Sequence, residues 1–170
     1  MSKIKKILAP TDLSDLSKLG LRYALEVARD ASAEVIVYHA IDFSDEWAEK
    51  RSEVVAHTDV LQHSRKKLQE FLSDNFADCI NLVEVRPMVE IGSPIQNIVE
   101  KAQEEGVDMI IFSTHGRTGL DHIILGSVTE KVVARAPCPV LVVPRSGRHL
   151  PEAKAGSRMK GIKPWEGTSG

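Results

Sequence analysis

Val107-Asp108-Met109-Ile110-Ile111-Phe112 runs straight into Ser113-Thr114-His115-Gly116-Arg117-Thr118-Gly119-Leu120-Asp121-His122-Ile123-Ile124-Leu125-Gly126-Ser127. The first six residues are nearly unbroken apolar, the mark of a central strand covered on both faces. A strand that ends in a glycine-containing loop and returns to a helix is where α/β proteins hold phosphates. Glycine lets backbone N–H groups approach an anion, and the helix N-terminus adds its dipole. Ser127 and Glu130 have the spacing of a capping box opening the next helix, which would aim the free amides of Gly126, Ser127 and Val128 at a ligand. Read alone, the same stretch is equally a turn with caps, and Arg117 a solvated loop charge.

Outward from this stretch, short β-branched runs alternate with segments of helical period, the pattern of parallel βαβ units. Residues 4–9 read as the first strand, ending in Pro10-Thr11-Asp12-Leu13-Ser14, a turn rich in capping residues. The helix that follows places Leu16, Leu19, Tyr23, Val27 and Ala31 on one face. Residues 35–41 read as the second strand, and a later helix carries Leu61, Leu68, Phe71 and Leu72. The third strand, residues 80–89, contains Pro87, which removes a ladder donor and predicts a sheet edge. Gly92-Ser93-Pro94-Ile95-Gln96 predicts a helix start with Ser93 as N-cap, Pro94 in the first turn and Gln96 closing a capping box. That helix buries Ile95, Ile98, Val99 and Ala102 and stops at Gly106. Val140-Leu141-Val142-Val143, between Pro139 and Pro144, is the last strand. The expected architecture is an open sheet of five parallel strands with helices on both faces and right-handed crossovers.

Composition bounds the rest. A chain of 170 residues supports one well-buried core, and with 5% aromatic residues that core must be aliphatic. The chain is 42% hydrophobic and 27% charged, as ordinary soluble proteins are. No apolar run approaches the roughly 20 residues of a membrane span, so membrane insertion is not expected. The start, Met-Ser-Lys-Ile-Lys-Lys, has no signal-peptide pattern, and Cys79 and Cys138 are expected as reduced thiols of a cytoplasmic protein. Residues 145–170 hold six Lys/Arg against two Asp/Glu, net +4, whereas the remainder holds 16 basic and 22 acidic residues, net −6. An acidic body argues against nucleic acid as a partner.

The order of these segments resembles the universal stress protein family over residues 3–143. Ile7-Leu8-Ala9-Pro10-Thr11-Asp12-Leu13-Ser14, Gly92-Ser93-Pro94 and Thr114-His115-Gly116-Arg117-Thr118-Gly119 carry the likeness. Leu125-Gly126-Ser127-Val128-Thr129-Glu130-Lys131-Val132 and Ala136-Pro137-Cys138-Pro139-Val140-Leu141-Val142-Val143 complete it. The resemblance implies a Rossmann-like sheet of the adenine nucleotide alpha hydrolase kind, in strand order 3-2-1-4-5. It also implies two branches. One binds ATP or AMP through glycine, two residues, glycine, nine residues, then glycine and Ser or Thr; the other lacks the pattern. Gly116, Gly126 and Ser127 fit the binding branch, while Ser113 stands where the first glycine belongs. If that position needs a positive φ, serine costs about 1 kcal/mol; in strand geometry it is tolerated.

Carried over residue by residue, the resemblance sets Asp12 at the adenine or ribose edge, with Pro10 and Thr11 as wall. Asp12 could equally cap the first helix. Ile41 would offer backbone groups and an apolar face to adenine, or serve simply as core. Ser113, Thr114, His115, Gly116, Arg117, Gly119, Gly126, Ser127 and Val128 would surround the ribose and phosphates, with Ser127 assisting a phosphate-bound Mg²⁺. His115 is expected to structure the loop, and no protein-only metal site is expected. The family also implies a homodimer through Val140–Val143, because an apolar edge strand is normally paired or covered. The expected role is regulatory, through a protein partner that the sequence leaves unnamed. Slow ATP hydrolysis or autophosphorylation, and a branch that binds no nucleotide, are the alternatives. Residues 1–145 form the expected domain and 146–170 a basic tail.

Overall fold

The computed structural model describes residues 3–42, 57–114 and 125–144. Five strands, β1 (Lys6–Pro10), β2 (Glu34–Ile41), β3 (Glu84–Ile91), β4 (Met109–Ser113) and β5 (Val140–Val143), form one sheet. Four helices accompany them: α1 (Ser17–Ala31), α2 (His57–Phe76), α3 (Pro94–Glu104) and α4 (Ser127–Val133). Every pairing is parallel, in the order β3-β2-β1-β4-β5. The expected topology therefore holds, and the strand with Pro87 lies at an edge, as its missing donor requires.

Alternation along each strand feeds two cores. Ile7, Ala9, Val35, Val37 and Ile111 face α1 and α2, meeting Leu21, Leu25, Leu68, Leu72 and Phe76. Leu8, Ile36, Tyr38, Ile110 and Phe112 face the other way, onto Ile98 and Ala102 of α3 and Val132 of α4. Consecutive apolar residues are thus both buried, which is why β4 reads as an unbroken run. Cys79 packs against the first layer and Cys138 against the second, so the sheet separates them and both are free thiols. Among the described residues no helix is long and apolar enough to cross a membrane.

Several local expectations are corrected. The face of α1 that is fully buried is Ser17, Gly20, Leu21, Ala24, Leu25 and Ala28. Tyr23, Val27 and Ala31 flank it, and Leu19 is 39% exposed. Small residues win the central stripe because they let the helix axis lie close to the sheet. Residues 80–82 form a 3-10 turn rather than strand, since β2 begins at Glu34 and its partner in register is Glu84. Strand β1 begins two residues later than expected, at Lys6.

Helix α3 does start after Ser93, whose carbonyl accepts the Asn97 N–H at 2.9 Å, but no side-chain capping box forms. The Gln96 amide donates instead to Glu100 at 2.8 Å. The helix ends as expected at Gly106, with φ +58°. Helix α4 is capped by Gly126, not Ser127; the Glu130 N–H donates to the Gly126 carbonyl at 2.9 Å.

At the N-terminal edge of the sheet a charged group ties β1, β2 and β3 to the end of α3. Arg86 donates to Glu34 at 2.6 Å and grips both carboxylate oxygens of Glu105, at 2.9 and 2.6 Å. Lys6 adds a bond to the Glu105 carboxylate at 3.3 Å. The Arg86 hydrogen bonds, helped by Lys6, lower the Glu105 pKa from 4.5 to about 2. A depressed carboxylate contributes stability above its unfolded pKa and loses it as pH falls through the folded value. Glu105→Gln should therefore melt below the parent protein at pH 6, and the gap should shrink between pH 4.5 and about 2. Thermal unfolding followed by circular dichroism across that range checks it.

Candidate functional site

Strand order places β1 and β4 side by side while their crossovers leave in opposite directions, β1 toward β2 and β4 toward β5. In such a sheet the crevice outside the C-terminal ends of these two strands is the ligand position. The turn after Pro10, the chain after Ser113, the start of α4 and the end of β2 gather there.

The turn after β1 is held from within. The Thr11 N–H donates to the Tyr38 carbonyl at 2.8 Å. The Ser17 hydroxyl gives its proton to the Ser14 carbonyl at 2.8 Å. In the 2.8 Å contact between the Thr11 and Ser17 hydroxyls, Thr11 must therefore be the donor. Thr11 Oγ1 in turn accepts the Leu13 N–H at 3.1 Å. Leu13 sits at φ 62°, a left-handed conformation that costs a leucine about 1–2 kcal/mol. Its packing against the α1/α2 core and the Thr11 hydroxyl hold it there. Asp12 Oδ1 accepts both the N–H, at 3.1 Å, and the hydroxyl of Ser14. Asp12 thus braces the turn through Ser14. It does not cap α1, whose N-cap position, Leu16, has no side-chain cap bond.

His39, which the sequence reading passed over, is buried on β2 with Nδ1 2.9 Å from the Thr11 carbonyl. A carbonyl only accepts, so this nitrogen carries the proton and the ring orients the Thr11 peptide. A lone imidazole in an apolar strand was the available signal. Ile41 packs into the α1/α2 core, and its carbonyl accepts the Gly92 N–H at 3.0 Å. At φ +143° Gly92 has no room for a side chain: a Cβ would lie 2.8 Å from the Asn97 amide.

Ser113 is the last residue of β4, in register with Val143, and its φ is not positive. Serine in place of glycine therefore carries no left-handed strain. The Thr114 N–H donates to the Val143 carbonyl at 2.9 Å, and the Thr114 carbonyl accepts the Gly126 N–H at 2.7 Å. This bond pins the two ends of the intervening loop together, and it corrects the expectation of a free Gly126 amide. Gly126 itself has φ −65°, open to any residue. In the first turn of α4 the amides of Ser127 and Val128 have no intrahelical acceptor. His115, Gly116, Arg117 and Gly119 lie outside the described residues.

Gly20 lets these parts meet. A Cβ there would stand 2.5 Å from the Ser113 nitrogen and 2.6 Å from the Phe112 carbonyl carbon, both backbone atoms. Helix α1 therefore touches the end of β4 at the rim of the crevice. A glycine inside a helical pattern was the sequence signal for this contact.

An open, doubly wound parallel sheet with its loops gathered at one switch point defines an α/β protein of the Rossmann kind. The model described as "Universal stress protein family" matches residues 3–144, and the chain belongs to that family. It is 35% identical over 147 residues to Universal stress protein MJ0531 of Methanocaldococcus jannaschii, covering 82% of this chain and 81% of that one. With Universal stress protein MJ0577 of the same organism identity is 32% over 157 residues, covering 83% and 95%. The solved structure of MJ0577 superposes with a TM-score of 0.71 at 33% identity, covering 86% of this chain and 99% of that one. A family member from Arabidopsis thaliana, solved with AMP bound, shares the fold at a TM-score of 0.54 and 17% identity, covering 88% and 97%.

Gly20→Ala should destabilise the protein by about 1–3 kcal/mol, because backbone must move to admit the methyl. Urea unfolding measures the loss, and Gly106→Ala is no substitute control, since its own φ of +58° strains any side chain.

Proposed function

We propose that this chain is an adenine-nucleotide-binding member of its family, a regulatory module that holds ATP or AMP at the crevice between β1 and β4. One observation carries the reading: β1 and β4 end together at the switch point between a braced turn and a loop pinned at both ends. A preorganised rim loses little entropy when a ligand is seated.

In this reading Pro10 and Thr11 form the wall beside adenine, and Asp12 meets the adenine or ribose edge. Thr11 serves by shape, since its hydroxyl already serves Ser17 and Leu13. Ile41 supplies apolar surface. Ser113, Thr114, His115, Gly116, Arg117 and Gly119 follow the ribose and phosphates around the loop. Ser127 and Val128 offer first-turn amides to the phosphates behind Gly126, and Ser127 assists Mg²⁺ carried on them. The AMP bound to the Arabidopsis protein belongs to that protein; at 17% identity its likeness reaches the fold alone. Residues 1–145 act as the nucleotide domain and 146–170 as an appended basic tail, in the cytoplasm, with output through a protein partner that reads the bound state.

The family reading extends to a homodimer. Strand β5 is the outer strand of the sheet, and Val140, Leu141, Val142 and Val143 are all part-exposed. Pairing two such strands across a two-fold axis would cover them.

Two measurements test these points. Mass spectrometry of small molecules released on denaturing the purified protein should find ATP or AMP near one per chain; a protein that also fails to bind added nucleotide belongs to the non-binding branch. Sedimentation at micromolar concentration should give the mass of a dimer, and a monomer removes the β5 pairing.

A further inference from the structure

The described rim of the crevice is acidic. The segments at this end of the sheet, residues 10–15, 41–42, 91–93, 113–114, 125–128 and 143–144, hold Asp12, Asp15 and Asp42 and no lysine or arginine. Lys18, one turn into α1, is paired with Asp15 at 2.6 Å. Between Ser113 and Ser127 the sequence has Arg117 and Asp121, which cancel. Phosphates brought to such a rim meet like charge unless cations come from elsewhere.

The chain leaves the sheet at this same rim. Val143, the end of β5, is in register with Ser113 and accepts the Thr114 N–H at 2.9 Å. Two and five residues further on come Arg145 and Arg148, the first of six basic residues in a segment of net +4.

We propose that Arg145 and Arg148 form the cationic half of the nucleotide site, contacting the phosphates and setting a preference for nucleoside polyphosphates over nucleosides. The inference rests on the adenine-nucleotide reading above. Reach supports it: neighbouring strands lie about 4.8 Å apart, so the end of β1 is about 10 Å from that of β5. Extended chain spans up to about 3.5 Å per residue, so Arg148 can lie over either strand end. Charge supports it too, since a +4 segment is drawn to a body of net −6 and to phosphate. Guanidinium groups suit the task because their planar fork grips phosphate oxygens in pairs.

The test is isothermal titration of the full-length chain, cleared of bound nucleotide, with ATP, AMP and adenosine. The parent is compared with Arg145→Gln/Arg148→Gln and with the double lysine variant, each matched to the parent by circular dichroism. The glutamine pair should weaken ATP about tenfold or more and AMP less, leave adenosine unchanged, and flatten the salt dependence of ATP binding. The lysine pair should recover part of the loss. Equal ATP affinity in parent and glutamine variant overturns the inference, and so does an equal loss for adenosine, which would mark a structural role. If the parent itself binds none of the three, the nucleotide reading falls first and this inference with it.

Discussion

Strand β4 is buried on both sides, and the rest of the molecule is arranged around that constraint. Ile110 and Ile111 are adjacent in sequence, fully buried, and sent into opposite core layers. A parallel strand in this position needs helices over both faces and a neighbour on each edge. Strand β1 supplies one neighbour and β5 the other. The crossovers then have to diverge, β1 toward β2 and β3, β4 toward β5, and the divergence opens the crevice at their C-terminal ends.

The rim of that crevice is shaped by polar bonds that close on themselves. Thr11, Leu13, Ser14 and Ser17 exchange hydrogen bonds in one turn, Asp12 braces Ser14, and His39 orients the Thr11 peptide from the next strand. Across the crevice the Thr114–Gly126 bond fixes where the loop leaves and returns. Gly20 joins the two sides by letting α1 rest on the backbone of β4. Strain at Leu13 persists because these bonds over-determine it, the usual circumstance of a non-glycine residue held at positive φ beside a binding crevice.

The opposite end of the sheet is different in kind. There Arg86, Glu34, Glu105 and Lys6 form a compact charged group, and Asp108 accepts the N–H groups of Lys5 at 2.7 Å and Lys6 at 2.9 Å. These contacts stabilise strand starts, while the C-terminal end carries the loops that vary in shape and charge. The division follows from parallel topology, which collects all strand ends of one polarity on one side.

Elements with a strong period were legible in the sequence, and so was the family. The apolar run of β4, the edge position forced by Pro87 and the stop at Gly106 all depend on local chemistry. Sequence also placed Ser113 at the decisive position of the loop, but only its place in β4 showed that serine carries no strain there. The buried stripe of α1, the engaged amide of Gly126, the cap supplied by Gly126 in place of Ser127 and the role of His39 were decided by tertiary structure. Each depends on what another segment, distant in sequence, brings within a few ångströms, and no local pattern carries that information.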